Sequence, residues 1–495
     1  MTFTTISFAL FLALTFALYW SVRERSTQNV LLLTASYVFY AWWDYRFCGL
    51  MLLASVIDFA AGAMIHRSPS PRVRRAWLVT SIVANLGLLG TFKYYDFFVE
   101  SARAAAQSLG WTFHPVTLNV LLPVGISFYT FQTLSYTIDI YRKQSRPAGS
   151  FVDYLAFVSF FPQLVAGPIE RASDLLPQFQ RPRTFECAAA SDGCRQMLWG
   201  FFKKLAIADR LALVVDQVYG AGPVAHFGES SGFMIVFASI LFAFQIYCDF
   251  SAYSDIAIGC ARLFGLQLSR NFAYPFFSQS MSELWRRWHI TLLTWFRDYV
   301  FLPLGGVRGT PWIVARNVMI TFLISGLWHG AAWTFVLWGA LMGAASLAEP
   351  MRVATRRGRA NRVPLDEPGG NRLIPSPPVA LRMLRTFAIF AFGSLLFRSP
   401  SLGSTLEALQ RIAGDVVDPA AYGRLIPELS QPDVIKSVVV VALLLILEWV
   451  QRRQPHPLVL DRMPQWGRWA VYTVMLWGAV LYMPNKPVTF VYFNF

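Results

Sequence analysis

The sequence predicts an all-α integral membrane protein, a polytopic bundle of helices, and three observations carry the prediction. The chain is 55% hydrophobic and 14% charged over 495 residues, where a soluble domain carries about a quarter charged residues. Apolar runs close to the ~20 residues that a spanning helix needs recur from one end to the other. The 43 Lys and Arg against 28 Asp and Glu give a formal charge of +15, and in a membrane chain such an excess sets orientation rather than binding nucleic acid. No basic-aromatic nucleic-acid motif accompanies it.

The first run, Phe3–Trp20, has no basic segment before it and no small-residue cleavage site after it, so it reads as a retained first helix rather than a secretion signal. Further candidate spans are Asn29–Trp43, Phe47–Ile65, Ala76–Phe92, Val116–Ile140, Phe151–Val165, Met197–Val218, Gly232–Cys248 and Tyr253–Phe264. The C-terminal part adds Trp288–Leu304, Ile313–Leu347, Val379–Phe397, Val434–Val450 and Trp469–Met483. Some are too short to cross and Ile313–Leu347 is too long for one upright helix, so roughly 11 to 13 spans plus re-entrant pieces are expected.

The Arg-rich connections at 67–75, 142–146, 352–385 and 452–468 are expected in the cytoplasm. With Arg23 and Arg25 inside and the hairpin near Asp44 outside, the N-terminus is external. The alternation then fails at Phe151–Val165, which lies between two connections that both read as cytoplasmic; that run is expected to dip in and return. Broken helices at membrane depth are tolerated where they are packed in protein or line a cavity. One membrane domain is expected, made of a catalytic block at 1–351, an Arg/Pro/Gly-rich cytoplasmic linker at 352–378 and C-terminal helices at 379–495.

The five cysteines form no CxxC pair and have no His at metal-ligand spacing, so neither a disulfide framework nor a metal site is indicated. Serine-hydrolase elbow, P-loop, Rossmann and zincin motifs are absent. No fixed-period repeat appears, and no pair of interrupted helices recurs in two halves as inverted-repeat transporters often show.

His66, His114, His226 and His456 fall at span edges or in polar connections. His329 does not: between Ile320 and Trp338 it is the one ionisable side chain, and an ionisable group at membrane depth is costly and functional by default. Ser325, Gly326, Gly330, Ala331 and Ala332 around it let a neighbouring helix or a substrate come close. A neutral imidazole can take a proton from a hydroxyl near physiological pH, which suits His329 to general-base work; the competing reading is a hydrogen-bonded packing histidine. His289 lies in an aromatic and basic stretch, 281–299, where anchoring and function are both open.

Arg286, Arg287, Arg297 and Arg308 are candidates for the phosphates of an acyl-coenzyme A, since the guanidinium fork matches phosphate oxygens, and equally for positive-inside anchors. Trp285 and Trp328 flank the two histidines in sequence and join the candidate substrate-binding set. Asp249 with Ser251, and Asp255 beyond them, sit in apolar surroundings of membrane length. Asp249 could orient a histidine or line a cavity; a tie to a helix terminus or an Arg is the other reading.

Several stretches resemble the membrane-bound O-acyltransferase family, in particular its bacterial branch that serves alginate O-acetylation. They are 121–136 with Leu-Pro-Val-Gly-Ile-Ser-Phe-Tyr, 160–169 with Phe-Phe-Pro-Gln-Leu-Val-Ala-Gly-Pro-Ile, the Asp249 cluster, and the segments around His289 and His329. The terminal Phe490-Val-Tyr-Phe-Asn-Phe495 is similar to the branch's aromatic ending, and the resemblance is expected to run end to end.

The resemblance implies a helical fold around a central tunnel, entered by acyl-coenzyme A from the cytoplasm and by an acceptor from the other side. It implies that His329, the histidine of the Trp-His-Gly segment, is catalytic, with His289 at the upstream partner position. Acetyl-coenzyme A is then the donor substrate and no cofactor is bound. The expected partners are membrane lipids, a polysaccharide acceptor and a periplasmic serine-type acetyltransferase, with the chain in the bacterial inner membrane. The expected activity is O-acetylation of an exopolysaccharide such as alginate. A transporter or flippase of a lipid-linked or small polar substrate, its intramembrane Asp and His binding the cargo, is the rival from another class.

Overall fold

The computed structural model describes residues 1–220, 227, 230–349, 374–482 and 490–491. The described residues are helical with no strand, and the protein is a multi-pass membrane protein. The first helices are α1 (Ile6–Ser21), α2 (Arg25–Asp44), α3 (Arg46–Arg67) and α4 (Pro71–Leu89), the last running through a π turn into α5 (Tyr95–Ser108). Next come α6 (Ile126–Tyr141), α7 (Phe151–Ser159), α8 (Phe161–Leu164), α9 (Ala172–Phe179), α10 (Cys187–Phe202) and, after a π turn at Lys203–Ala208, α11 (Asp209–Tyr219). The remainder are α12 (Gly232–Leu263), α13 (Met281–Arg287), α14 (Ile290–Phe296), α15 (Pro311–His329), α16 (Trp333–Leu347), α17 (Pro377–Arg398), α18 (Leu402–Val417), α19 (Pro419–Leu429), α20 (Pro432–Val450) and α21 (Gln465–Leu481).

Five stretches are long and apolar enough to cross a membrane among the described residues: α3, α4 through α5, α12, α15 and α17. The burial pattern supports the same solvent. On α20 the exposed side chains include Ile435, Val438, Val439, Leu443, Ile446 and Val450, with one exposed cation, Lys436, near the helix start, while Ser437 and Glu448 are buried. Apolar side chains outward and polar ones inward is the arrangement that lipid selects.

The chain forms two compact units, one of residues 1–194 with 257–269, the other of 195–256 with 270–495. In the first, α3, α4 and α6 pack together and α2 packs on α7. Their shared interior is polar: buried Asp58 accepts hydrogen bonds from Ser81 Oγ at 2.6 Å and from Asn85 Nδ2, and Thr133 donates to Asn85 Oδ1. Buried Glu170 takes the backbone N–H and the hydroxyl of Ser269.

The expected helix Val116–Ile140 starts only at Ile126. Pro123 lacks an N–H and Gly125 sits at φ +79°, so the preceding residues cannot join the ladder. The run Phe151–Val165 is a nine-residue helix, a break at Phe160 and a four-residue turn. At about 1.5 Å per residue neither piece can cross. The two stretches Gly232–Cys248 and Tyr253–Phe264 are one continuous 32-residue helix, α12. Trp288–Leu304 is interrupted at His289 and ends in a π turn. Most of the expected 352–378 linker, like His226, lies outside the described residues.

The long run Ile313–Leu347 resolves into α15 and α16, joined at Gly330–Ala332. Pro311 at the first turn and Thr310, whose hydroxyl accepts from Ile313 N–H, start α15. The two helices pack as an antiparallel pair whose backbones nearly touch. A Cβ on Gly326 would lie 2.2 Å from the Phe335 carbonyl oxygen, and one on Gly339 would lie 2.3 Å from that of Phe322. This close seam fixes the end of α15, where His329 stands.

Gly326→Ala or Gly339→Ala should therefore destabilise the protein by about 1–3 kcal/mol through overpacking. Thermal unfolding in detergent is the measurement. Gly414→Ala, where a Cβ meets nothing within 4 Å, should leave the midpoint unchanged or higher.

Candidate active site

His329 is the last residue of α15 and is 6% exposed. Its imidazole is enclosed by aromatic rings, with centroids at 5.0 Å for Trp328, 5.1 Å for Trp338 and 5.3 Å for Phe397. Trp338 comes from α16 and Phe397 from α17, so three helices converge on one side chain. Trp285, on α13, stands 6.2 Å from Trp338 and donates its indole N–H to Ser346 Oγ at 3.0 Å.

His289 is brought to the same place by a different device. It sits between α13 and α14 at φ +43°, ψ +52°, a left-handed conformation that costs a non-glycine residue about 1–2 kcal/mol. Asn271 holds it there. The Asn271 carbonyl accepts Ile290 N–H at 2.9 Å, and Asn271 Oδ1 lies 3.1 Å from His289 Nδ1 and 3.0 Å from Thr291 Oγ1, which donates to it. Such outliers persist where the surroundings over-determine them and concentrate at functional sites. The ring is 1% exposed and packs edge-on against Phe250 at 4.6 Å and against Trp328 at 5.9 Å. Trp328, itself 3% exposed, thus contacts both imidazoles. Two histidines separated by 40 positions in sequence share one indole.

The remaining candidates fall into different settings. Arg286 is exposed. Arg287 is buried and tied to Glu283 at 2.8 Å and to the Ala273 carbonyl, which makes it a brace for α13. Asp249 and Ser251 face lysines rather than the histidines: Lys204 Nζ donates to Asp249 Oδ1 at 2.6 Å and pairs with Asp209 at 2.8 Å. Lys203 Nζ donates to Ser251 Oγ and to Asp255, both at 2.6 Å. Asp249 Oδ2 also accepts Val491 N–H at 2.6 Å. Asp249 adjoins the histidine pair through its neighbour Phe250, which packs on His289.

Sequence reasoning missed Asn271, Lys203, Lys204, Trp338 and Phe397. The lysine pair left a signal, since Lys203-Lys204 is a double cation inside the apolar run Met197–Val218 and such charges at membrane depth call for partners. Asn271 left none, being one polar residue in a loop.

A family model for the membrane-bound O-acyltransferase family matches residues 146–357, which include both histidines, Asn271 and the lysine pair. A probable alginate O-acetylase of Azotobacter vinelandii is 44% identical over 336 residues, covering 68% of this chain and 65% of that protein. A probable alginate O-acetylase of Pseudomonas aeruginosa is 38% identical over 394 residues, covering 79% of this chain and 71% of its own length. A peptidoglycan O-acetyltransferase of Helicobacter pylori is 34% identical over 410 residues, with 77% and 73% covered. The chain belongs to the membrane-bound O-acyltransferase family. Within that family it is similar to proteins named as probable alginate O-acetylases and as a peptidoglycan O-acetyltransferase, and the match spans about two thirds of the length of the Azotobacter relative.

Removing the cation shared by two buried carboxylates leaves uncompensated charge, which typically costs about 3–5 kcal/mol. Lys204→Met should therefore abolish or strongly reduce recovery of monodisperse protein in detergent. Asp249→Asn, which keeps Asp209 opposite Lys204, should be tolerated better by the same size-exclusion assay.

Proposed function

We propose that this protein is an acetyltransferase that takes acetyl from cytoplasmic acetyl-coenzyme A and delivers it across the inner membrane for O-acetylation of an exopolysaccharide such as alginate. The observation that carries the proposal is the pair of buried imidazoles that both pack against Trp328, within a chain 38–44% identical to probable alginate O-acetylases.

His329 is the general base. It takes the proton of an acceptor hydroxyl as that oxygen attacks the thioester carbonyl. Collapse of the tetrahedral intermediate breaks the C–S bond, and the departing coenzyme A sulfur receives the proton from the imidazolium, so the histidine ends as it began. The aromatic enclosure of Trp328, Trp338 and Phe397 keeps water from competing for the thioester. His289 orients the hydroxyl or stabilises the charge that develops. Arg286, the exposed member of the arginine pair, meets the phosphates of the donor, and Trp285, beside Trp338, lines the acyl end. A periplasmic serine-type acetyltransferase is the partner that places the acetyl group on the polymer.

The transporter reading has the intramembrane Asp and His residues bind the cargo, and Asp249 and Asp255 are the aspartates concerned. Both are engaged by lysines at 2.6 Å, which favours a structural role for them and the enzymatic reading for the site.

Purified protein in liposomes, supplied with radiolabelled acetyl-coenzyme A, the partner acetyltransferase and a polysaccharide acceptor, should lose about 10²–10⁴-fold in transfer rate on His329→Ala, the usual worth of a positioned general base. Transfer equal to the parent would sink the assignment. Arg286→Ala should raise KM for acetyl-coenzyme A several-fold while leaving kcat near the parent value.

A further inference from the structure

The reaction assigned above leaves open whether His289 accepts or donates a hydrogen bond, and the residues around it decide the question. Asn271 Oδ1 faces three groups: His289 Nδ1 at 3.1 Å, Thr291 Oγ1 at 3.0 Å and the backbone N–H of Thr291 at 3.4 Å. A hydroxyl or an imidazole nitrogen can play either part, but a backbone N–H can only donate. The amide atom that faces it is therefore the oxygen. On its other side Asn271 Nδ2 reaches Ser254 Oγ at 3.1 Å, where a hydroxyl can accept, so the assignment is consistent at both ends of the amide.

An amide oxygen carries no proton. The His289 nitrogen that meets it must supply one, so Nδ1 bears the hydrogen and in the neutral ring Nε2 bears the lone pair. The same residue also fixes the backbone: its carbonyl accepts Ile290 N–H at 2.9 Å, which pins the left-handed turn at His289.

We propose that Asn271 is a positioning residue for the transfer reaction. It locks His289 into the Nδ1–H tautomer, so that His289 serves as a hydrogen-bond acceptor at Nε2 rather than as a donor to the oxyanion. The chain Ser254–Asn271–His289 then orients a proton-bearing partner, and the acceptor hydroxyl is the group of that kind in the reaction. His289 Nε2 and His329 share the hydroxyl's one proton in a three-centre hydrogen bond that holds the oxygen in the line of attack, and the proton passes to His329 as the C–O bond forms. This rests on the acyltransferase reading for its consequence in catalysis, but the tautomer itself does not.

The test uses the full-length protein labelled with [15N]histidine in liposomes, with His289→Gln identifying the His289 signals in solid-state NMR. Protonated Nδ1 and unprotonated Nε2 are expected in the parent. The opposite tautomer would overturn the proposal whatever the variants do.

In Asn271→Ala the Nε2–H form should appear, and kcat should fall at least 10-fold with KM for acetyl-coenzyme A changed less than twofold. Asn271→Asp retains an acceptor oxygen and should keep the Nδ1–H tautomer and recover a substantial part of kcat. A folded Asn271→Ala protein with the parent's spectrum and kcat would also overturn it. Should that variant fail to fold, the parent spectrum and the Asp variant still decide. Parent tautomer as expected together with full activity in His329→Ala would leave the Asn271 assignment standing and remove the base assignment instead.

Discussion

A charge or polar group at membrane depth has no water to turn to, and it must find its partner inside the protein. That constraint organises the second unit of this protein. Lys203 and Lys204 open a π turn between α10 and α11 and reach α12, where they meet Ser251, Asp255 and Asp249. Because both cations are engaged, α12 can carry two carboxylates through its length without breaking. Because α12 continues unbroken, Phe250 is presented against His289. The ion pairs and the histidine are linked by one residue, so the polar network sets where an aromatic ring stands, and the ring sets where the imidazole can be.

The two histidines solve the same constraint differently. His329 is enclosed by aromatic rings at the end of a helix whose path is fixed by the Gly326 and Gly339 seam. His289 is held in a disfavoured backbone conformation by a loop asparagine that binds it through main chain and side chain together. One site is made by packing and the other by hydrogen bonding. They meet at Trp328, whose indole belongs to the helix of one and touches the ring of the other.

Much of this was legible in the sequence, and the physical reason differs from residue to residue. Helical membrane architecture follows from composition and run length, which lipid constrains strongly. The division of Ile313–Leu347 was legible because a mainly apolar run of 35 residues exceeds one span, and His329 was legible because it is the lone ionisable group between Ile320 and Trp338. The continuity of α12 was not: a hydropathy reading ends a helix at the Asp249 cluster, since the lysines that satisfy it lie about 45 residues earlier in the chain and pairing across that distance leaves no periodic trace. Val116–Ile140 erred the other way, with apolar character masking the backbone veto of Pro123 and Gly125.

Asn271 marks the limit most sharply. Nothing in Ser269-Arg-Asn-Phe272 separates a loop asparagine that solvates itself from one that governs an imidazole 18 positions on. The difference is geometric: the amide oxygen must face a backbone N–H, and that N–H must belong to the residue two beyond the histidine, which requires the chain to turn left-handed at His289 itself. Residue type and spacing cannot encode such a condition, because any β-branched or glycine residue in place of Thr291 would present the same N–H. What singles out Asn271 is that one residue, through its main-chain carbonyl and its side chain, satisfies the turn, the threonine and the imidazole at once. Loss of any of the three contacts loosens the other two, and the strain stored at φ +43° is held only while all three persist.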